Sequence, residues 1–436
     1  MFRLESIIDN KFFFITIPSL LTILIPFFLI TGPFLPDLAV SLCAILFIIN
    51  TIYNPFKNFK DFYKSKFFLI FIFFWMTAVV SSLFSMHILF SLETSFFYIR
   101  FGFFVLSVWF LLRNNPKIIN LFFYILFFCF VILIADGFLQ FFLGKNLFGW
   151  KIISNRISSF FKEELIMGSY ISRLLPLFLA LFIFLKKEIN NFFKYSFIII
   201  FVLSEVLIFL SGERSSFFFL NLSALFILVL SNNYKKMRIG MLSSAFVIMC
   251  AITLFNSEYK FRMFDTTLNQ IKVSKATNKN DFNKDYYVFT SQHENIYKSA
   301  ILMFKDNQII GIGPRLFRLN CNKKEYLISP DSCSVHPHNN YIQLLAELGI
   351  IGFAQISLLF LILVYFSVKH FFLKIKKRTF IFNDYQISLL SGFLITLWPI
   401  VPTGNFFGNW ISIIYYLPLG FFLFSFDKKI FLKKKI

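Results

Sequence analysis

The stretch SVHPHNNYIQLLAELGIIG, residues 334–352, holds the side chains best suited to chemistry. His336 and His338 stand two positions apart, Asn339 follows directly, and an imidazole near neutral pH can both take and give a proton. Counted as a helix from His338, the residues Asn339, Gln343 and Glu347 fall at i, i+4 and i+8 and form one polar stripe, with Ile342, Leu345 and Leu348 opposite. A polar stripe that enters hydrocarbon costs free energy unless it meets partners or water. Gly349 and Gly352 would let a neighbouring helix approach the backbone closely.

The elements that must position these groups are membrane helices. Hydrophobic residues make up 58% of the chain, Phe alone numbers 70 and charged residues are only 15%, which excludes a soluble globular protein. Apolar runs long enough to cross a bilayer lie at 12–32, 35–53, 67–85, 96–112, 119–142, 166–185, 195–211, 215–231, 239–255, 340–367, 384–401 and 406–426. The expected fold class is therefore an all-α polytopic membrane protein of about 12 spans carrying one long extramembrane loop module. The first run lacks a small-residue cleavage site and is expected to be retained.

The net charge of +21 invites a nucleic-acid partner, but topology accounts for it. With the N-terminus inside, the cytoplasmic segments hold 24 of the 43 Lys and Arg residues, and the short outer loops at 33–35, 86–95 and 402–405 hold none. Twelve more sit in the long segment 256–337, which the positive-inside rule discounts. Both termini are expected in the cytoplasm, and no nucleic acid is expected as a partner. The chain divides into an N-terminal membrane region (1–255), a polar loop module (256–337) and a C-terminal membrane region (338–436) opening at the His-Asn pair. Within the module, HENIYKSAILMF (293–304) has amphipathic helical spacing, and Gly311, Gly313 and Pro314 mark a tight turn.

Cys43, Cys129 and Cys250 fall inside spans as small apolar fillers. Cys321 and Cys333 lie in the long outer loop, where a disulfide is permitted, and a ring between them would clamp the approach to His336. Zinc would be the rival, but no compact ligand spacing accompanies these cysteines. No metal and no cofactor is expected.

The sequence His338, Asn339, nine residues, Gly349, two residues, Gly352 resembles the hallmark of the O-antigen ligase and O-antigen polymerase superfamily of bacterial envelope glycosyltransferases. The turn GIGPRLFR (311–318) and the segment SGERSS (211–216) extend the resemblance. It implies a multi-pass protein of the bacterial inner membrane that moves a glycan from a polyprenyl diphosphate carrier to an acceptor hydroxyl, such as that of a lipid A core, on the periplasmic face. Membrane lipids surround it. His338 is the expected base and Arg214 the catalytic cation for the departing diphosphate, since a guanidinium fork holds phosphate oxygens bidentately. Arg262 and Arg318 are the candidates for a further phosphate ligand from the loop. Asn339, His336 and Glu347, with Gln343, complete the expected substrate surroundings, while Arg156 and Arg173 match the family only loosely. The absence of a carboxylate pair points to inversion at the anomeric carbon.

Ligase is favoured over polymerase by the intact His-Asn pattern and the long loop, and transfer to protein side chains has the same signature. A transporter or flippase of envelope lipids would instead use ionisable residues near mid-membrane, for which Asp136 and Glu205 are the candidates.

Overall fold

The computed structural model describes residues 12–54, 59–255, 261–271, 289–376 and 380–427. Among these, apolar runs have become helices, as backbone surrounded by lipid must. The membrane bundle begins with α1 (Ile17–Thr31), α2 (Phe34–Tyr53), α3 (Lys66–Leu83), α4 (Ile88–Phe97), α5 (Ile99–Asn114) and α6 (Ile118–Leu143). It continues through α7 (Met167–Leu185), α8 (Asn191–Leu210), α9 (Arg214–Leu230) and α10 (Lys235–Phe255). The loop module contributes α11 (Ser291–Asp306), and the chain returns through α12 (Asn340–Ile375), α13 (Asp384–Thr396) and α14 (Asn409–Phe424). No strand is present among the described residues. The protein is an all-α, multi-pass membrane protein.

Each of the twelve expected spans contains a helix, but among the described residues only nine helical segments are long and apolar enough to cross a bilayer by themselves. The shorter three are α9, α13 and α14. At 1.5 Å per residue the 13 residues of α13 reach only about 20 Å. The apolar runs 384–401 and 406–426 suggest two full spans; instead the chain leaves helical form at Leu397 and resumes it at Asn409. Pro399 and Pro402 cannot donate helical hydrogen bonds, and Gly404 and Gly408 favour the departure. A second difference is at 86–95, expected as a short loop and found as α4, which runs nearly continuously into α5.

α7 lies at the centre. From Tyr170 to Leu185 all its residues are buried, the pattern of a helix that is apolar on every side. It packs against α13, α9, α6 and α8, while α5 packs against α2 and α14. α10 and the second half of α12 present Phe246, Val247, Leu358, Leu361 and Tyr365 outward, as lipid-facing surfaces do. The loop module has its own small core: Ile296, Tyr297, Ala300 and Met303 of α11 pack with Ile312, Leu316, Phe317 and Tyr326 against Ala346 of α12. The disulfide Cys321–Cys333 closes this module beside His336.

Candidate active site

α12 starts at Asn340, not at His338. Asn339 is the N-cap, its side-chain oxygen accepting from Tyr341 N–H and Ile342 N–H, which fills two of the donors that a helix start leaves unpaired. His338 therefore lies before the helix, in the left-handed region with φ 57°. Its carbonyl accepts from Thr403 N–H at 2.8 Å, which ties it to the irregular segment 397–408.

The helix is also broken. At Gly349 the backbone takes φ 64° and ψ −163°, and the turn before α12's loop neighbour fills the gap. Ile312 N–H and Gly313 N–H donate to the carbonyls of Ala346 and Glu347, while Ile350 N–H donates to the Gln308 carbonyl at 2.8 Å. A helical break in a membrane span would strand these groups at a cost of several kcal/mol, and the inserted loop satisfies them. Gly349 thus accommodates the backbone of a loop, where a neighbouring helix was expected: a Cβ on it would stand 2.4 Å from the Ile309 carbonyl carbon. Gly311 faces it in the same way, 2.4 Å from the Glu347 carbonyl carbon.

The polar stripe of α12 grips two irregular segments at three points. Asn339 donates to the Pro399 carbonyl at 2.7 Å. Gln343 donates to Asn405 Oδ1 at 2.7 Å and to Glu347 Oε2 at 2.9 Å, and accepts from Phe406 N–H at 2.9 Å. Glu347 accepts through Oε1 from Phe317 N–H at 3.3 Å, and the Arg315 N–H bonds the same carboxylate. Both Gln343 and Glu347 are fully buried.

These segments enclose a cavity of about 660 Å³ at one end of the bundle. Four arginines line it, Arg156, Arg173, Arg214 and Arg315, together with Glu213, Ser215, Thr403 and Asn405. Arg214 opens α9. Arg173 is buried within α7, flanked by the rings of Phe219 at 4.8 Å and Tyr415 at 5.3 Å, and its Nη1 has no partner among the described residues. Arg156 reaches the carbonyls of Leu165 and Ser211. A wall with this many cations favours an anion of more than one charge.

Glu213 is the counterweight. Its carboxylate accepts from Gly168 N–H at 2.7 Å and Ser169 N–H at 3.1 Å at the start of α7, and from the Ser216 hydroxyl at 3.0 Å. Burial pushes its pKa up to about 7, against these bonds and the charge of Arg156.

Beside the cavity stand three imidazoles. The His338 ring lies 4.1 Å from that of His336 and 5.6 Å from that of His293 on α11. His293 is held by a 2.6 Å bond between its Nδ1 and the Thr290 hydroxyl, and the charge of Arg214 adds to the effect of burial on it. Burial lowers the pKa of all three, to about 3 for His336 and about 4 for His293, so the ordinary state of the cluster is neutral.

Of the sequence candidates, His336 and His338 share one cluster and Arg214 lines the adjoining cavity. Asn339 and Glu347 are engaged with protein groups and are not in the cavity wall; Arg318 is not in it either, and its pKa is lowered by burial. Arg262 falls in the turn Phe261–Asp265, with its side chain outside the described residues. Arg315, Glu213 and His293 were not singled out. Arg315 follows the Gly-Pro turn three positions before Arg318, so only the loop's conformation tells which of the two faces the cavity. Asp136 is bonded to the Ser159 hydroxyl and Leu147 N–H of the loop after α6, while Glu205 is buried in α8 with no partner to either oxygen among the described residues.

The site is thus a histidine cluster beside an arginine-lined cavity in an all-α membrane bundle. Residues 197–357, from α8 through the break in α12, match the O-antigen ligase family, and the match supports a membrane enzyme of the O-antigen ligase or polymerase type. No curated protein matches the chain.

Proposed function

We propose that the protein is a ligase of the bacterial inner membrane that transfers a glycan from a polyprenyl diphosphate carrier to a hydroxyl of a lipid A core. In this reading 1–255 and 338–436 form the membrane body, 256–337 is a periplasmic module, both termini are cytoplasmic and the cavity opens to the periplasm. The donor diphosphate occupies the cavity against Arg214, with Arg156 and Arg173 alongside. His338, kept neutral by burial, takes the proton of the acceptor hydroxyl as its oxygen bonds to the anomeric carbon. The carbon–oxygen bond to the phosphate breaks, its electron pair leaves with the diphosphate, and the guanidinium groups stabilise the new charge. Attack from the face opposite the leaving group inverts the anomeric centre.

The observation that carries this reading is the adjacency of base and cation sites: the His338 carbonyl accepts from Thr403 N–H, and Thr403 lines the cavity together with Arg214 and Arg173. Purified protein in detergent, given a polyprenyl-diphosphate-linked glycan and a lipid A core acceptor, tests it. His338→Ala is expected to lower transfer by about 10²–10⁴-fold, the usual contribution of a positioned base, with the protein accumulating normally. Full transfer by that variant would remove the assignment, transfer only onto carrier-linked glycan would make the enzyme a polymerase, and a retained anomeric configuration by NMR would exclude direct inversion.

A further inference from the structure

Arg315 reaches the cavity from the loop that fills the break in α12, whereas Arg173 and Arg214 come from α7 and α9. It has φ 61°, an uncommon state for a residue other than glycine. The guanidinium makes one long hydrogen bond, to the Thr94 hydroxyl at 3.5 Å, and lies over the Phe90 ring of α4 at 5.9 Å, while its Nε is buried without a partner among the described residues. The backbone around it is held far more firmly. The Phe317 N–H bonds the Glu347 carboxylate at 3.3 Å, the Arg315 N–H on the other side of Leu316 interacts with the same carboxylate, and Gly313 N–H bonds the Glu347 carbonyl at 2.9 Å. Ser81 donates to that same carbonyl at 2.8 Å.

We infer that Arg315 is a phosphate-binding residue of the cavity and that Glu347, which cannot reach a ligand from its buried place, is the positioning residue that holds it there. A carboxylate that grips alternate N–H groups fixes the left-handed turn, and the turn aims the guanidinium. This rests on the proposed function for the identity of the substrate but not for the binding of a phosphate. The phosphate could belong to the lipid carrier or to a phosphorylated acceptor sugar, and the two are separable.

The test uses the full-length protein in detergent with inorganic pyrophosphate as the probe, followed by calorimetry, and KM for donor and acceptor in the transfer assay. Arg315→Asn, which tolerates the left-handed backbone, is expected to weaken pyrophosphate binding on the order of 10- to 100-fold, the range for a lost charge-assisted hydrogen bond. Glu347→Gln is expected to give a comparable loss of pyrophosphate binding, and the double variant no more than Arg315→Asn alone. Glu347→Asp, which retracts the carboxylate by one methylene, takes its place if Glu347→Gln does not accumulate. A rise in donor KM assigns the phosphate to the carrier, and a rise in acceptor KM assigns it to the acceptor. Unchanged pyrophosphate binding in Arg315→Asn overturns the inference, and so do losses that multiply in the double variant. Because pyrophosphate binding needs no turnover, Arg315-dependent binding by a protein that transfers no glycan would refute the glycan-transfer reading alone.

Discussion

Gly349→Ala is the substitution that should disturb the site most with the fewest atoms. At φ 64° and ψ −163° the backbone is in a region open essentially to glycine alone, and a side chain there costs about 1–3 kcal/mol. The new Cβ would also stand 2.4 Å from both the carbonyl carbon and oxygen of Ile309, about 1 Å inside ordinary contact. Backbone cannot swing aside as a side-chain tip can, so overpacking adds roughly 1–3 kcal/mol. The two terms act on one contact, the docking of 308–313 into α12, and together favour its undocking by roughly 2–6 kcal/mol, at least about tenfold in population. Hydrogen exchange of Ile312, Gly313 and Ile350 amides reads the undocking directly, and the transfer assay reads its consequence. Gly240→Ala is the control: it lies in α10 with nothing within 4 Å of its added Cβ and should be neutral or slightly stabilising. If Gly349→Ala keeps full amide protection and full transfer, the account of the broken helix is wrong.

The pH profile of kcat/KM should carry an acidic limb below pH 6.5, because burial lowers the His338 pKa and a base acts only when neutral; a limb above the usual imidazole value would contradict it. The same depression means that the unfolded chain binds more protons than the native one below about pH 6.5. Stability present above that pH should therefore fall as the pH drops toward 4, as thermal unfolding in detergent would show. Replacing Cys321 and Cys333 together by serine frees the 12-residue ring and should destabilise the loop module by roughly 3 kcal/mol, seen as faster exchange in 321–336; unchanged protection there would mean that the small core of the module alone holds it.

Chemistry-bearing residue types at the edge of hydrocarbon are easy to read in a sequence, and His338 and Arg214 stand out for that reason. What hydropathy does not report is whether an apolar run is one helix. The run around Gly349 is continuous in polarity, and its break depends on a loop thirty-odd residues earlier that supplies the missing hydrogen bonds. The stretch 397–408 misleads in the same way: its apolar residues extend two spans on paper, while Pro399, Pro402, Gly404 and Gly408 mark the irregular wall actually formed. Arg315 and Arg318 differ in nothing that spacing alone can rank, since the left-handed backbone at Arg315 belongs to a turn that packs on Glu347 from another element.

The polar stripe of α12 explains how so irregular a site can be rigid. Each of its members sits one turn below the last, and each holds a different non-helical turn: Asn339 the one at Pro399 and Gln343 the one at Asn405 and Phe406, both in 397–408, and Glu347 the one at Phe317. Gln343 also bonds Glu347, so the last two grips are one network. Non-helical backbone at membrane depth is tolerable only where its groups are paired inside protein or face a wet cavity, and this stripe does the pairing from a single helix face. The cation-bearing turn and the wall that carries Thr403 to His338 are consequently indexed to the same helix. Their separation is then set by the 1.5 Å rise of α12 and not by the length of flexible loops, and fixing the distance between proton acceptor and leaving-group anion is what in-line transfer requires.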